Sequence, residues 1–144
     1  WPKDPQKSIN EVRDYLTKKH KIKYLGVIMT DSKLTPLRWG VTGYAVAYSG
    51  FEALNDYIGK PDIFGRIMQS EKSNIPDSLA ASAVTVMGEG DEQQPLATIT
   101  DVPFINFQDR NPTQDELDKL KIKLEDDIFS SILTSVKWEK GENN

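Results

Sequence analysis

Residues 113 to 136 carry the strongest periodic signal in the chain. Thr113-Gln114-Asp115-Glu116 has the Thr-x-x-Glu spacing in which side chain and backbone at a helix start satisfy each other. Leu117, Leu120, Leu124, Ile128, Ile132 and Val136 then recur in one stripe. A stripe of that length needs a covered face, so it predicts one long C-terminal helix that closes the core. Trp138 is expected to anchor its end, with 141–144 as an irregular tail. Two similar boxes, Ser8-Ile9-Asn10-Glu11 and Ser49-Gly50-Phe51-Glu52, predict a helix from Ser8 to about Lys19 and a second over 51–58. In the first, Ile9, Val12, Tyr15 and Leu16 form the apolar face, and residues 1–7, with two prolines, read as an irregular leader.

Between these lie apolar runs at strand spacing. Ile22 to Thr30 and Leu37 to Tyr48 predict one strand pair, joined by a turn over Asp31 to Pro36. Asp62 is placed to cap a short helix through Ile63, Phe64, Ile67 and Met68. Leu79 to Gly88 and Leu96 to Phe107 predict a second strand pair, joined by the polar hairpin loop Glu89 to Pro95. Pro103 marks an edge position or a break in the last of these. The order is α-β-β-α-β-β-α. Short turns between paired strands give antiparallel ladders. The expectation is a single α+β domain over 1–144, with a mainly antiparallel four-stranded sheet and helices packed on one face.

The glycines of Gly40-Val41-Thr42-Gly43 invite a phosphate-loop reading, which the spacing rejects. They sit inside a strand, far from any helix start, with no Gly-Lys-Ser/Thr beside them. Ser49-Gly50 does open a predicted helix, but Glu52 takes its free amides. Gly43, Ala45 and Ala47 instead make a shallow groove that a helix can approach closely, and the 117–136 stripe is the natural candidate. Tyr44, Val46 and Tyr48 alternate with them and fall on the opposite face. There the tyrosines either pack across strands against 79–88 or form a partner or self-association surface. The run Gly43-Tyr44-Ala45-Val46-Ala47-Tyr48, followed by Phe51-x-x-Leu54-x-x-Tyr57, resembles a segment of Gram-positive envelope lipoproteins of unknown function. The resemblance covers a short part of the chain and assigns no residue a role.

Composition narrows the chemistry. Cysteine is absent and His20 is the only histidine, so thiolate sites, disulfides and multi-histidine metal sites are excluded. The net charge is −4, divided into +4 over residues 1–72 and −8 over 73–144. An acidic chain argues against nucleic acid as a partner. The basic run Lys18-Lys19-His20-Lys21-Ile22-Lys23 reads as a solvated helix end matched to the helix dipole. No apolar run approaches the roughly 18 residues of a membrane span. Glu89, Asp91 and Glu92 share one loop, which suits calcium in principle but reads better as a solvated hairpin tip. Asp101, beside Pro103 in an otherwise apolar strand, is the best single acid/base candidate, although a strand-end or bulge aspartate explains it as well. His20, flanked by lysines, reads as exposed.

No catalytic, cofactor-binding or metal-binding residue is assigned on these grounds, and no cofactor is expected. With Trp1 where an initiator methionine would stand, the start is either that of a processed, mature chain or a cut made within a longer one. That start and the missing cysteine point to an exported, envelope-associated protein, with a cytoplasmic location as the alternative. The functional expectation is a non-catalytic interaction domain with Tyr44, Val46 and Tyr48 as partner surface. The alternative is a small-ligand binder or hydrolase with a pocket between sheet and helices.

Overall fold

The structure, a computed structural model, describes residues 1–139. The tail expected over 141–144 lies outside the described residues. The chain begins with helix α1 (Pro5–His20). Its start is set by Asp4 rather than Ser8: the Asp4 carboxylate accepts from the Lys7 amide at 2.9 Å, and Pro5 supplies a preset φ at the first helical position. The last three residues of the expected leader, 5–7, are therefore helix. The buried face is also rotated from the expected one. Ile9 and Arg13 are buried, while Val12 and Tyr15 are 43% and 59% exposed.

Strands β1 (Val27–Leu34) and β2 (Val41–Ser49) form an antiparallel hairpin, each shifted toward the C-terminus from its expected position. Met29 faces Ala47, but Thr30 faces Ala45, so Val46 has no partner across the ladder. This bulge breaks the alternation of faces. Gly43 meets helix α2 (Ile75–Met87): a β-carbon at Gly43 would lie 2.5 Å from the Ala80 carbonyl oxygen and 2.6 Å from Val84 Cγ2. Beyond the bulge, Tyr48 joins Ile75 and Leu79 of the same helix in one cluster. The two tyrosines thus part company. Tyr48 is core, 3% exposed, and Tyr44 and Val46 are half-buried. The groove of small residues at Gly43 is real, but α2 fills it and not the C-terminal segment.

The box at Ser49-Gly50-Phe51-Glu52 does not open a helix. Gly50 takes φ +90°, and the chain continues extended into a second hairpin, β3 (Leu54–Asp56) with β4 (Lys72–Asn74). Its far end is a turn, not a helix: the Asp62 carboxylate accepts from the amides of Phe64 and Arg66. Residues 104–108 run beside 50–55, with Phe51 bridging Phe107 and the Glu52 amide donating to the Asn106 carbonyl at 2.9 Å. This contact holds Phe51 in the core, 2% exposed, its ring 5.4 Å from that of Tyr48. Two two-stranded sheets therefore replace the expected four-stranded one. The α+β class stands.

The segment expected as the third strand is α2. Asn74 caps it, its side chain accepting from the Asp77 amide at 3.1 Å, and Pro76 lies in the first turn. The expected fourth strand, 96–107, is irregular apart from the bridge at Phe107. The expected long C-terminal helix is broken. The Thr113–Glu116 box forms as read, but α3 (Gln114–Asp118) is short, and a 3-10 turn (Leu124–Asp126) and α4 (Ser130–Thr134) follow. Leu117 and Leu120 pack against the core. Leu124, Ile128, Ile132 and Val136 are between 53% and 87% exposed. A helix whose apolar stripe lacks a packing partner has only marginal stability of its own. Among the described residues no helix is long and apolar enough to cross a membrane.

The core therefore turns on Phe51 and not on the C-terminal stripe. Phe51→Ala should cost about 3–5 kcal/mol, as buried aromatic truncations do. Ile128→Ala should cost well under about 1 kcal/mol, as exposed substitutions do. Urea unfolding of both variants measures the difference, and equal losses would contradict this placement.

Candidate functional site

A network of side-chain hydrogen bonds lies where α1 meets the two chain segments around Gly50 and Asn111. Arg13 stands one turn after Ile9 on the buried face of α1 and is 3% exposed. Its Nε donates to the Leu25 carbonyl at 3.1 Å, and one terminal nitrogen donates to the Gln108 carbonyl at 3.0 Å. The other terminal nitrogen lies 3.4 Å from Asn111 Oδ1 and 3.6 Å from Asp14. Ser49, fully buried, donates its hydroxyl to the same Asn111 oxygen at 2.7 Å. The Asn111 amide nitrogen in turn donates to both oxygens of Asp14. Gly50 is required here, since a β-carbon would strike the Leu25 carbonyl and lie 2.5 Å from Arg13 Nε.

A second clamp lies a few residues on. Arg110 holds Glu116 with two parallel hydrogen bonds of 2.7 and 2.8 Å. Gln108 Nε2 and the Thr113 amide also donate to Glu116. Arg110 first, and then these donors, hold the Glu116 carboxyl far below its ordinary value. Burial, and then the nearby Glu116 charge, push the Tyr48 phenol up. Tyr48, Phe51 and Leu54 floor a hollow of about 160 Å³ with Glu116 and Lys119 at its rim.

Beside this assembly an open cleft of about 400 Å³ runs between the first turns of α1 and the start of α3. Asp4, Glu11 and Asp14 line it with Gln6, Asn10 and Gln114, and Lys7 is its one cation. The cleft offers carboxylates to a positively charged group and amides to a hydrogen-bonding one.

The β1–β2 hairpin carries a third group of polar side chains. The Ser32 hydroxyl reaches both oxygens of Glu89, at 2.7 and 2.6 Å, and the Trp1 indole donates to Asp31 at 2.6 Å. Asp77 accepts from the Ala45 amide at 2.9 Å and pairs with Lys33 at 3.3 Å, whose ammonium lies over the Tyr44 ring.

The residues singled out in the sequence are thus dispersed. Glu89 joins Ser32, while Glu92 turns back onto the Gly90 amide at 2.7 Å and Asp91 accepts from Gln93. Asp101 is exposed at a positive φ of 60°, not buried in a strand, and His20 is exposed at the end of α1. Among the described residues no three His, Cys, Asp or Glu side chains gather as a metal-holding group. Sequence reasoning gives Arg13 and Asn111 no role, and reads Ser49 and Glu116 only as capping-box residues. One signal was available: Arg13 lies four residues from Ile9, a charge on a face otherwise due for burial.

Two outcomes follow. Arg13→Met should cost about 3–5 kcal/mol, because it strips the partner from buried carbonyls and from Asn111. An unchanged urea midpoint would contradict the bonding described. Glu116 has a folded-state pKa below its ordinary 4.5, so its stabilisation is full above that value and is lost as pH falls beneath it. Acid unfolding of wild type should steepen below about pH 4.5, and Glu116→Gln should flatten that limb. Identical acid limbs would remove Glu116 from this role.

Comparison with known proteins changes the functional picture. A family model described as F420-0:gamma-glutamyl ligase matches residues 1–101. A coenzyme F420:L-glutamate ligase of Methanococcus maripaludis (strain C6) is 40% identical over 128 residues, covering 89% of this chain and 49% of that protein. Its namesake from Methanocaldococcus jannaschii is 40% identical over 112 residues, covering 76% and 45%. That of Archaeoglobus fulgidus is 35% identical over 98 residues, covering 68% and 39%. The chain spans about half the length of the curated relatives it matches, or less. These relatives are named as enzymes, and as ligases. That overturns the expectation of a non-catalytic, protein-binding domain of an exported, lipoprotein-like protein, and the hydrolase alternative with it. The chain belongs to the F420-0:gamma-glutamyl ligase family.

Proposed function

We propose that this chain forms part of a ligase that joins L-glutamate to coenzyme F420 through a γ-glutamyl link. One observation carries the reading: the match to the relatives runs through most of the chain at 40% identity. The family match over 1–101 takes in α1, both hairpins and α2, and so includes Arg13, the Asp31–Ser32–Glu89 group and most of the cleft.

The chemistry sets a requirement. Joining an amine to a carboxylate releases water, and a carboxylate oxygen is a poor leaving group. A ligase meets this by coupling the condensation to cleavage of a nucleoside triphosphate. The chain's own contribution is binding and orientation. The acidic cleft beside α1 favours an ammonium over a carboxylate, which suits the amine of an amino acid. The Arg13 assembly fixes the cleft wall by holding Asp14 in place.

The test is direct. Purified protein is incubated with coenzyme F420, L-glutamate, magnesium and each nucleoside triphosphate in turn, and the products are weighed by mass spectrometry. A gain of one glutamyl residue with release of phosphate is expected, with D-glutamate and L-aspartate inactive. No gain and no phosphate release with any nucleotide would overturn the reading.

A further inference from the structure

The connection between β1 and β2 is longer than a hairpin needs. Leu34 pairs with Val41, which leaves residues 35–40 to turn a corner that two residues can turn. Pro36 fixes one φ, and Leu37 adopts a φ of +58°, a left-handed conformation uncommon outside glycine. The result throws side chains outward. Leu37 and Trp39 are fully solvent-exposed, at 106% and 105%, and Arg38 between them is exposed too. Among the described residues, Arg38 takes part in no hydrogen bond or ion pair, so all its donors face solvent. A bare indole, a bare guanidinium and a strained loop together suit a ligand with both a flat ring and a negative charge.

We infer that residues 35–40 form a clasp for a planar heteroaromatic coenzyme bearing a phosphate or carboxylate. In it the Trp39 indole stacks on the ring and the Arg38 guanidinium pairs with the anionic group. Glutamate alone, anionic but without a ring, meets only half of this arrangement. The inference rests on the ligase reading for the ligand's identity, so coenzyme F420 is the probe. The clasp lies at the end of the strand that carries Asp31 and Ser32, within the segment matched by the family. It places a coenzyme-gripping element on a loop held out by a rigid hairpin, where binding residues concentrate.

Calorimetric titration of the protein with coenzyme F420 tests this apart from catalysis. Trp39→Ala should weaken binding roughly tenfold or more, the size a lost aromatic stack carries, and Trp39→Phe should retain most of it. Arg38→Ala should weaken binding by a similar factor and abolish its salt dependence, with Arg38→Lys in between. Because both side chains are exposed, the melting temperature of each variant should stay unchanged. Unaltered affinity in both alanine variants overturns the clasp. So does a Trp39→Ala variant that changes oligomeric mass but not coenzyme affinity, since the loop would then be a protein contact. A wild-type protein that fails to bind the coenzyme also overturns it. Coenzyme binding that depends on Trp39 without any glutamyl transfer would leave the clasp standing and remove the ligase reading instead.

Discussion

The buried guanidinium of Arg13 is the interaction on which the rest depends. It joins four stretches of chain that are remote in sequence: α1, the approach to β1 at Leu25, the Ser49–Gly50 corner, and the 108–111 segment. A charge taken out of water is tolerable only where each of its donors finds an acceptor. The Leu25 and Gln108 carbonyls, Asn111 and Asp14 supply these. The geometry leaves no room for a side chain at position 50, which is why the corner there is glycine at a positive φ. Once 108–111 is fixed, Arg110 and Glu116 follow, and with them the start of α3 and the wall of the open cleft.

Packing adds the second constraint. Helix α2 lies so close to β2 that Gly43 contributes only backbone to the contact. Ala80 is fully buried against it. A hairpin with a helix pressed onto its small-residue face is a minimal α+β unit. The apolar material of Tyr48, Phe51, Ala53 and Ile75 sits where the first hairpin, the second hairpin and α2 converge.

What could be read from the sequence divides along physical lines. Local chemistry was legible where nothing opposed it. The Thr113–Glu116 box, the β1–β2 pairing and the small-residue groove at Gly43 all follow from spacing alone. Elements failed where tertiary contact overrode local preference. Ser49 and Glu52 have capping-box spacing, yet Ser49 is drawn to Asn111 and Glu52 to the 104–108 segment, so no helix starts. The run from Leu79 holds the strand-favouring Val84-Thr85-Val86, but its alanines favour a helix and Asn74 and Pro76 ahead of it start one. The C-terminal stripe has the right period and no covering surface, so it breaks. Of the site, Ser49 and Glu116 stand out in the sequence only as capping residues and Glu89 only as part of a hairpin tip. Arg13 draws its significance from carbonyls nearly 100 residues away, which no local pattern contains.

The bulge at Val46 has a wider consequence. It works as a phase shift in the strand: residues before it and after it obey opposite inside–outside rules. Gly43 and Tyr48 are an odd number of residues apart, yet they share a face because Val46 stays out of the ladder. Were Val46 paired in regular alternation, Tyr48 would turn out of the core and the Ser49–Gly50 corner would swing away from Arg13. Deleting Val46 would instead leave the pairs on either side of it, and so both faces, in place. One residue held out of the pairing, whatever its identity, keeps the two halves of the molecule in register.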